Sequence, residues 1–423
     1  MLPLYDHTRR QVCTAAFLGL CVLPTLAVAG WSIARHMPWH RQAEEQRLSQ
    51  ELGLDVSIEW LAHPLPGIVR YGGVKLTDPE TGRELFRCAE LAATWTSMTD
   101  SHGLTHPAIA LAAVQAESTS NDWVRLNEVL RRRLECQGGR PEIEVRATAD
   151  RWTLHCGDKS EILQSVKGDI GLIPNGILAQ LTFRLPDTSS PQPVRMQIVR
   201  NRQVSPPANG FDLDTGPTAV PCRLLATCLT EAGSLGLQCR FQGRLSSNDT
   251  PDGWSGELNG QFTGVDIGQL ARDGAAATIT GTADIAIEKA QFQHGRIDEI
   301  RGRIEGGPGA LGRDMFAALV THLKLTPSPQ LAVTGPSLAY DRMGLDFWIN
   351  NRGISIAGHC AGIQGAVAVA GERVILAEPA SQPQPVAALI QALVPAGEIP
   401  VPATRQTGRL ERLLPLPDAV TTK

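Results

Sequence analysis

The chain has 423 residues, a net charge of −4, 42% hydrophobic and 19% charged residues. That balance is globular, long enough for one large or two to three ordinary domains, and it excludes a disordered chain. A slightly acidic sequence with only 5% aromatic residues carries no overall nucleic-acid signature and few platforms for stacking bases or sugars.

After a tail of residues 1–11, residues 12–34 read VCTAAFLGLCVLPTLAVAGWSIA, with no charge among them. As a helix this run is long enough to cross a hydrocarbon core of about 30 Å. Arg9 and Arg10 precede it, and Trp31 stands near the far end, where an interfacial aromatic belongs. Pro24 followed by Ala27, Val28 and Ala29 also fits the end of a cleaved secretory signal. The apolar run continues past Ala29, so an uncleaved anchor is the preferred reading; either way the remainder is exported. Arg35, Arg41 and Arg47 follow the segment, so a count of cations alone slightly favours the reverse orientation. The signal-like pattern places the N-terminus inside, giving a single-pass inner-membrane protein with its bulk in the periplasm.

Residues 50–185 read as a first β-rich region. A polar stretch, RQAEEQRLSQELG, leads into the strand signals DVSIEWL, VRYGGVKLTD and ELFRCAELAATW. Asp78-Pro79 with Gly82 supplies turn chemistry for a hairpin over residues 67–91. Residues 121–135 predict a helix, with Trp123, Leu126, Leu130 and Leu134 at helical spacing and Ser120 or Asn121 as its cap. Arg131 to Arg133 read as a solvated, dipole-compensating end. Strand patterns return in EIEVRATADRWTLHC, ILAQLTFRL and VRMQIVRNR. The Pro-rich stretch of residues 186–221 is the expected internal boundary.

Residues 222–378 form a second β module, opened by a short helix in CRLLATCL. Alternation puts Ile279, Ala283, Ile285 and Ile287 on one face, and Ile300 and Ile304 inward against Arg301, Arg303 and Glu305. A helix is expected over residues 309–324, with Leu311, Met315, Leu319 and Leu323 on one stripe. Leu345, Phe347 and Ile349 face one way in a hairpin turned by Asn-Arg-Gly. Residues 379–423 carry a terminal helix, PVAALIQALVP, and a Pro-rich tail. Many of the 41 glycines fall inside strand patterns, as in a long sheet that twists and curves. The expected fold is mainly β with a few helices, an α+β chain built on a long, twisted, curved antiparallel sheet after a transmembrane helix.

Catalytic patterns are scarce. HMPWH (His36, His40) and HGLTH (His102, His106) have zinc-like spacing, but Pro38, Gly103 and Pro107 break the helix and the zinc-protease Glu is missing. His155-Cys156 and His359-Cys360 lie in strand context, where neighbours face apart. No G-x-S-x-G elbow or P-loop occurs, and GRIEGGPGALG has a Pro and no Lys where a phosphate cradle needs donors. An exported hydrolase or metalloenzyme is therefore disfavoured, as is a sugar- or peptide-binding sandwich, and no metal or cofactor is assigned. The 33 Arg against 6 Lys read as codon bias rather than phosphate recognition. Seven cysteines lie outside the apolar segment, an odd number, and Cys136–Cys156 and Cys228–Cys239 are the candidate bridges.

Three stretches, together with the N-terminal segment, carry a resemblance: PGIVRYGGVKLTDPETGRELFRCAELAATW; the run from GELNGQFTGVDIGQLARDG to MFAALVTHLKL; and LAYDRMGLDFWINNRGISIAGHCAGIQGAVAV. They resemble the early unit and C-terminal module of the AsmA-like superfamily, the TamB-type and AsmA-type envelope proteins of diderm bacteria, over about two thirds of the chain. The resemblance implies a non-enzymatic protein of outer-membrane maintenance, with an apolar β groove that binds or transfers phospholipid and no nucleic-acid partner. Lipid-facing candidates are Ile279, Ile285, Ile287, Ile300, Ile304, Leu345, Phe347 and Ile349. A β scaffold whose apolar faces close into a core is the alternative.

Overall fold

The computed structural model describes residues 6–35, 37–99, 105–119, 144–157, 159–173, 176–186, 188, 190–201, 203, 208–226, 230–250, 253–272, 278–329 and 335–393. Strands dominate them, at 58% against 22% helix, so the mainly β expectation holds. The chain divides into two compact units, Met1–Thr153 and Leu154–Lys423.

Unit 1 opens with α1 (Asp6–Phe17), a π-helical turn (Leu18–Val22) and α2 (Leu23–Arg35). Together they give one helix, Arg10–Arg35, long and apolar enough to cross a membrane, with none of its apolar stretch buried. The wide turn stands just before Pro24, which lacks the N–H to continue the ladder, and the Thr25 hydroxyl donates to the Cys21 carbonyl at 2.6 Å.

The polar stretch that follows is a helix, α3 (Pro38–Leu52), which its hydropathy pattern did not announce. Only Leu48 and Leu52 pack against the strands. Its polar side chains satisfy the next segment: Glu45 accepts from the Ile58 N–H at 2.8 Å, and Ser49 from the Val56 N–H at 2.9 Å.

An antiparallel meander follows, β1 (Asp55–Ser57), β2 (Trp60–Leu65), β3 (Ile68–Thr77), β4 (Glu84–Thr99) and β5 (Thr105–Thr119). The hairpin read over residues 67–91 is β3–β4. The buried Asp78 carboxylate accepts from the Glu80 N–H and the Thr81 hydroxyl, and Gly82 supplies the positive φ of +68°. Val56, Ile58, Tyr71, Val74, Cys88 and Ala93 form the core. Burial, reinforced by Glu44, raises the Tyr71 phenol, and burial raises the Cys88 thiol. Strand β6 (Glu144–Cys156) spans the boundary between the units. The helix expected over residues 121–135 lies outside the described residues.

Unit 2 is an antiparallel ladder of β7 (Lys159–Ile173), β8 (Gly176–Arg184), β9 (Val194–Asn201), β10 (Ala208–Asp214), β12 (Arg240–Thr250), β13 (Gly253–Asp266), β15 (Thr282–Gln293), β16 (Arg296–Gly306), β20 (Arg342–Asn350) and β21 (Gly353–Gly358). Short strands join it: β11 (Val220–Pro221), β18 (Thr326–Pro327), β22 (Ala366–Ala370) and β23 (Arg373–Ala377). A small separate sheet contains β14 (Ile279–Thr280), β17 (Gly309–Gly312) and β19 (Ser337–Tyr340). Helices α4 (Cys222–Leu225), α5 (Ile267–Arg272), α6 (Arg313–His322) and α7 (Val386–Leu393) lie between or after the strands.

Three expectations change here. Residues 186–221 are not a single linker: β9 and β10 pair with β8, with each other and with β12, and neither strand contains a proline. The helix expected over 309–324 begins at Arg313, because Gly309–Gly312 pairs as a strand with β14 and β19. Cys239 bridges Cys222 rather than Cys228, with Cα atoms 5.4 Å apart. Cys136 and Cys228 lie outside the described residues.

Candidate functional site

Residues paired across an antiparallel ladder point to the same face, and alternate residues along each strand share it. The register of unit 2 therefore assigns one face strand by strand. Ile285, Ile304 and Leu345 stand side by side, as do Ile287, Gly302, Phe347 and Ile356. A third row runs Leu181, Met196, Leu213, Leu245, Leu258, Ala290, Ile300, Ile349 and Ile354. Seven of the eight residues read from the sequence thus share one apolar face. Ile279 does not. Gly281, at φ +127°, interrupts the strand pattern, and Ile279 sits in the small sheet opposite Leu311.

The face is not uniformly covered. Helices α6 and α7 close it over β20 and β21, where Ile349, Ile354 and Ile356 are buried with Met315, Ile375 and Ala392. Ile300, Leu345 and Phe347 pack against that cluster. Ile285, Ile287 and Ile304 lie farther along the ladder and are half-buried. Across β7 to β13 the face is unevenly covered, and Ile177 on β8 is buried. Phe183, Val194, Leu213 and Phe241 are fully buried, whereas Ile170 and Ile198 are each 38% exposed and Trp254 is 37% exposed. Trp254 stacks on Phe292 of β15 at 4.9 Å between ring centroids. Sequence reading missed these residues. ILAQLTFRL and VRMQIVRNR announced strands, but no single strand reveals which neighbour completes a row.

Two glycines let the rows approach. Gly243 and Gly260 face each other across β12 and β13 with φ of +153° and +156°. A Cβ at Gly260 would meet the Phe241 ring at 2.9 Å, and Phe241 in turn contacts Phe262 at 4.8 Å between centroids. Aromatic rings thus cover the backbone that the missing side chains leave bare.

The opposite face is polar and cross-braced. Arg303 pairs with Asp346 at 2.7 Å, Lys289 with Glu299 at 2.8 Å and Arg244 with Asp212 at 3.1 Å. The Trp348 ring lies 5.0 Å from the Arg301 guanidinium and donates its N–H to Glu299 at 2.9 Å. The hydrogen bond from Lys289 holds the Glu299 carboxyl below its ordinary range, and Asp346 raises the Arg303 guanidinium. One greasy face and one charged face make the sheet amphipathic.

The described His and Cys positions lie apart in the sheet or make local contacts. His40 meets His63 at 3.3 Å, His155 hydrogen-bonds Ser160 at 2.7 Å, and Cys360 is buried, its thiol raised by that burial. His36 and His102 lie outside the described residues. Among the described residues no group of three or more His, Cys, Asp or Glu is placed to hold a metal ion. Comparison with protein-family models, curated proteins and solved structures gave no match to this chain.

Proposed function

We propose that the chain is a membrane-anchored, AsmA-like envelope protein, non-catalytic, whose C-terminal unit presents its apolar sheet face to the acyl chains of phospholipid. The observation that carries this reading is the unevenly covered face of unit 2. An apolar face, backed by a charged one, is fully buried at Phe183, Val194, Leu213 and Phe241 and exposed at Ile170, Ile198 and Trp254, the last paired with Asp249. Apolar surface left open in this way is a binding surface for apolar ligand. The membrane-length helix supports anchorage, and the Cys222–Cys239 bridge supports an oxidising compartment such as the periplasm. The resemblance of residues 66–95, 256–325 and 338–369 to AsmA-like modules points the same way.

The cover of α6 and α7 over Ile349 and Ile356 favours a second reading, a closed β scaffold. The two separate by mass spectrometry of lipid co-purified with the full chain from membranes in mild detergent. Stoichiometric phospholipid, reduced several-fold by Ile198→Asp in a protein that keeps its circular dichroism, is the expected result. A folded chain that carries no lipid, or carries the same amount in the variant, refutes lipid handling and leaves the scaffold.

A further inference from the structure

At the exit of the membrane-length helix the chain keeps presenting apolar side chains. Residues Arg10–Arg35, 26 in number, measure about 39 Å as a helix, longer than the roughly 30 Å of a hydrocarbon core. At least one end therefore reaches headgroup level, and at the C-terminal end the Arg35 guanidinium sits 3.5 Å from the centre of the Trp31 ring, the pairing of cation and aromatic that suits that interface. Met37 is extended, at φ −78° and ψ 146°, and α3 starts immediately after it. Met37 is 44% exposed and Trp39 59% exposed.

Two contacts bring the strands of unit 1 to the same place. His40, next to Trp39, touches His63 on β2 at 3.3 Å. Two residues on, Leu65 is 61% exposed at the tip of the β2–β3 hairpin. The Gly67 carbonyl at that tip accepts from the N–H of Trp95, itself 51% exposed. Each of these residues alone would be an ordinary exposed hydrophobe. Here Met37, Trp39, Leu65 and Trp95 come from the α3 cap, α3, β2 and β4; the His40–His63 contact brings β2 to the start of α3, and the Gly67–Trp95 backbone bond ties β4 to the hairpin tip, from whose two faces Leu65 and Trp95 project.

We propose that this end of unit 1 is a membrane-docking surface: Trp39, Leu65 and Trp95 lie in the headgroup region of the leaflet from which α2 emerges. The occupant follows from continuity. The bilayer that holds residues 10–35 lies within reach of Trp39, and tryptophan favours that interface. Arg35 and Arg41 flank the site with cations for lipid phosphate. Docking holds the first strands at the bilayer instead of letting them swing on a tether. The proposal rests on residues 10–35 spanning the membrane.

The test is tryptophan quenching of the full chain in phosphatidylethanolamine–phosphatidylglycerol vesicles whose acyl chains are brominated near the headgroup, against the same vesicles unbrominated. Trp39→Phe and Trp95→Phe are each expected to remove a share of the quenchable emission, as Trp31→Phe does inside the span. Trp348→Phe, on the polar face of unit 2, is expected to leave that share unchanged. If Trp31→Phe lowers quenching and neither Trp39→Phe nor Trp95→Phe does, the helix spans and the docking surface is wrong. A loss with only one of these two overturns the surface as drawn. No effect of Trp31→Phe overturns the span itself, and docking with it.

Discussion

The difference in burial across the apolar face predicts that the same substitution costs far more at one of its residues than at another. Ile349, 8% exposed beneath α6 and α7, loses about 1.5–3 kcal/mol of apolar burial on replacement by Asp. Its carboxylate has no partner in that cluster, and burying it adds several kcal/mol more. The sum is on the order of 5 kcal/mol or above, comparable to the roughly 5–15 kcal/mol that hold an ordinary domain. Ile198, 38% exposed on the same face, forfeits about 1–2 kcal/mol, and its carboxylate reaches water. Urea denaturation of the two full-length variants, followed by circular dichroism and tryptophan emission, measures the contrast. Ile349→Asp is expected to unfold unit 2 or to shift its midpoint far below that of Ile198→Asp. Equal losses would mean that Ile198 is packed as tightly as Ile349. The open stretch, and the lipid-handling reading built on it, would then fall.

Two further outcomes follow from individual contacts. Tyr340 is 1% exposed and donates its hydroxyl to the Thr280 carbonyl at 2.8 Å, tying the small sheet together. Tyr340→Phe removes that hydrogen bond and should lower stability by about 0.5–1.5 kcal/mol in urea titration, while Tyr340→Leu should cost more. The Cys222–Cys239 bridge, with a sequence separation of 17, restricts the unfolded chain by about 3 kcal/mol, so Cys239→Ser should destabilise unit 2 by that order. Peptide mapping without reductant checks the pairing directly and should recover residues 222 and 239 in one linked species.

Much of the fold was legible because it rests on local alternation. Ile300 and Ile304 against Arg301 and Arg303, and Leu345, Phe347 and Ile349 as one set, fell where a period of two places them. What failed needed non-local information. Ile279 keeps the parity of Ile285, but Gly281 breaks the strand between them and sends Ile279 to another sheet. Residues 309–312 continue the apolar stripe of α6, yet they pair as a strand because β14 and β19 offer partners. Helix α3 escaped notice because Leu48 and Leu52 alone give it an apolar stripe, its remaining faces being wet or bonded to polar groups of Val56, Ile58, His63 and Tyr71. The rows of the apolar face were not readable at all, since Ile198 acquires its neighbours only through the register of β8, β9 and β10.

That register also bears on the choice between a lipid face and a closed scaffold. Exposure of this face changes along single strands. On β9, Val194 is fully buried while Ile198, four residues on and on the same face, is 38% exposed. On β10, Leu213 is fully buried and Phe211, the next residue on that face, is half-buried. β9 and β10 share this transition, whereas on β8 Ile177, on the same face, stays buried at 6%, so the open stretch is local to Ile170 and Ile198. A closed scaffold gains less from these side chains than from fully buried ones, because Ile170, Ile198 and Trp254 leave more than a third of their surface to water. A surface that accepts acyl chains needs both parts, a dry floor to order them and an open side to admit them.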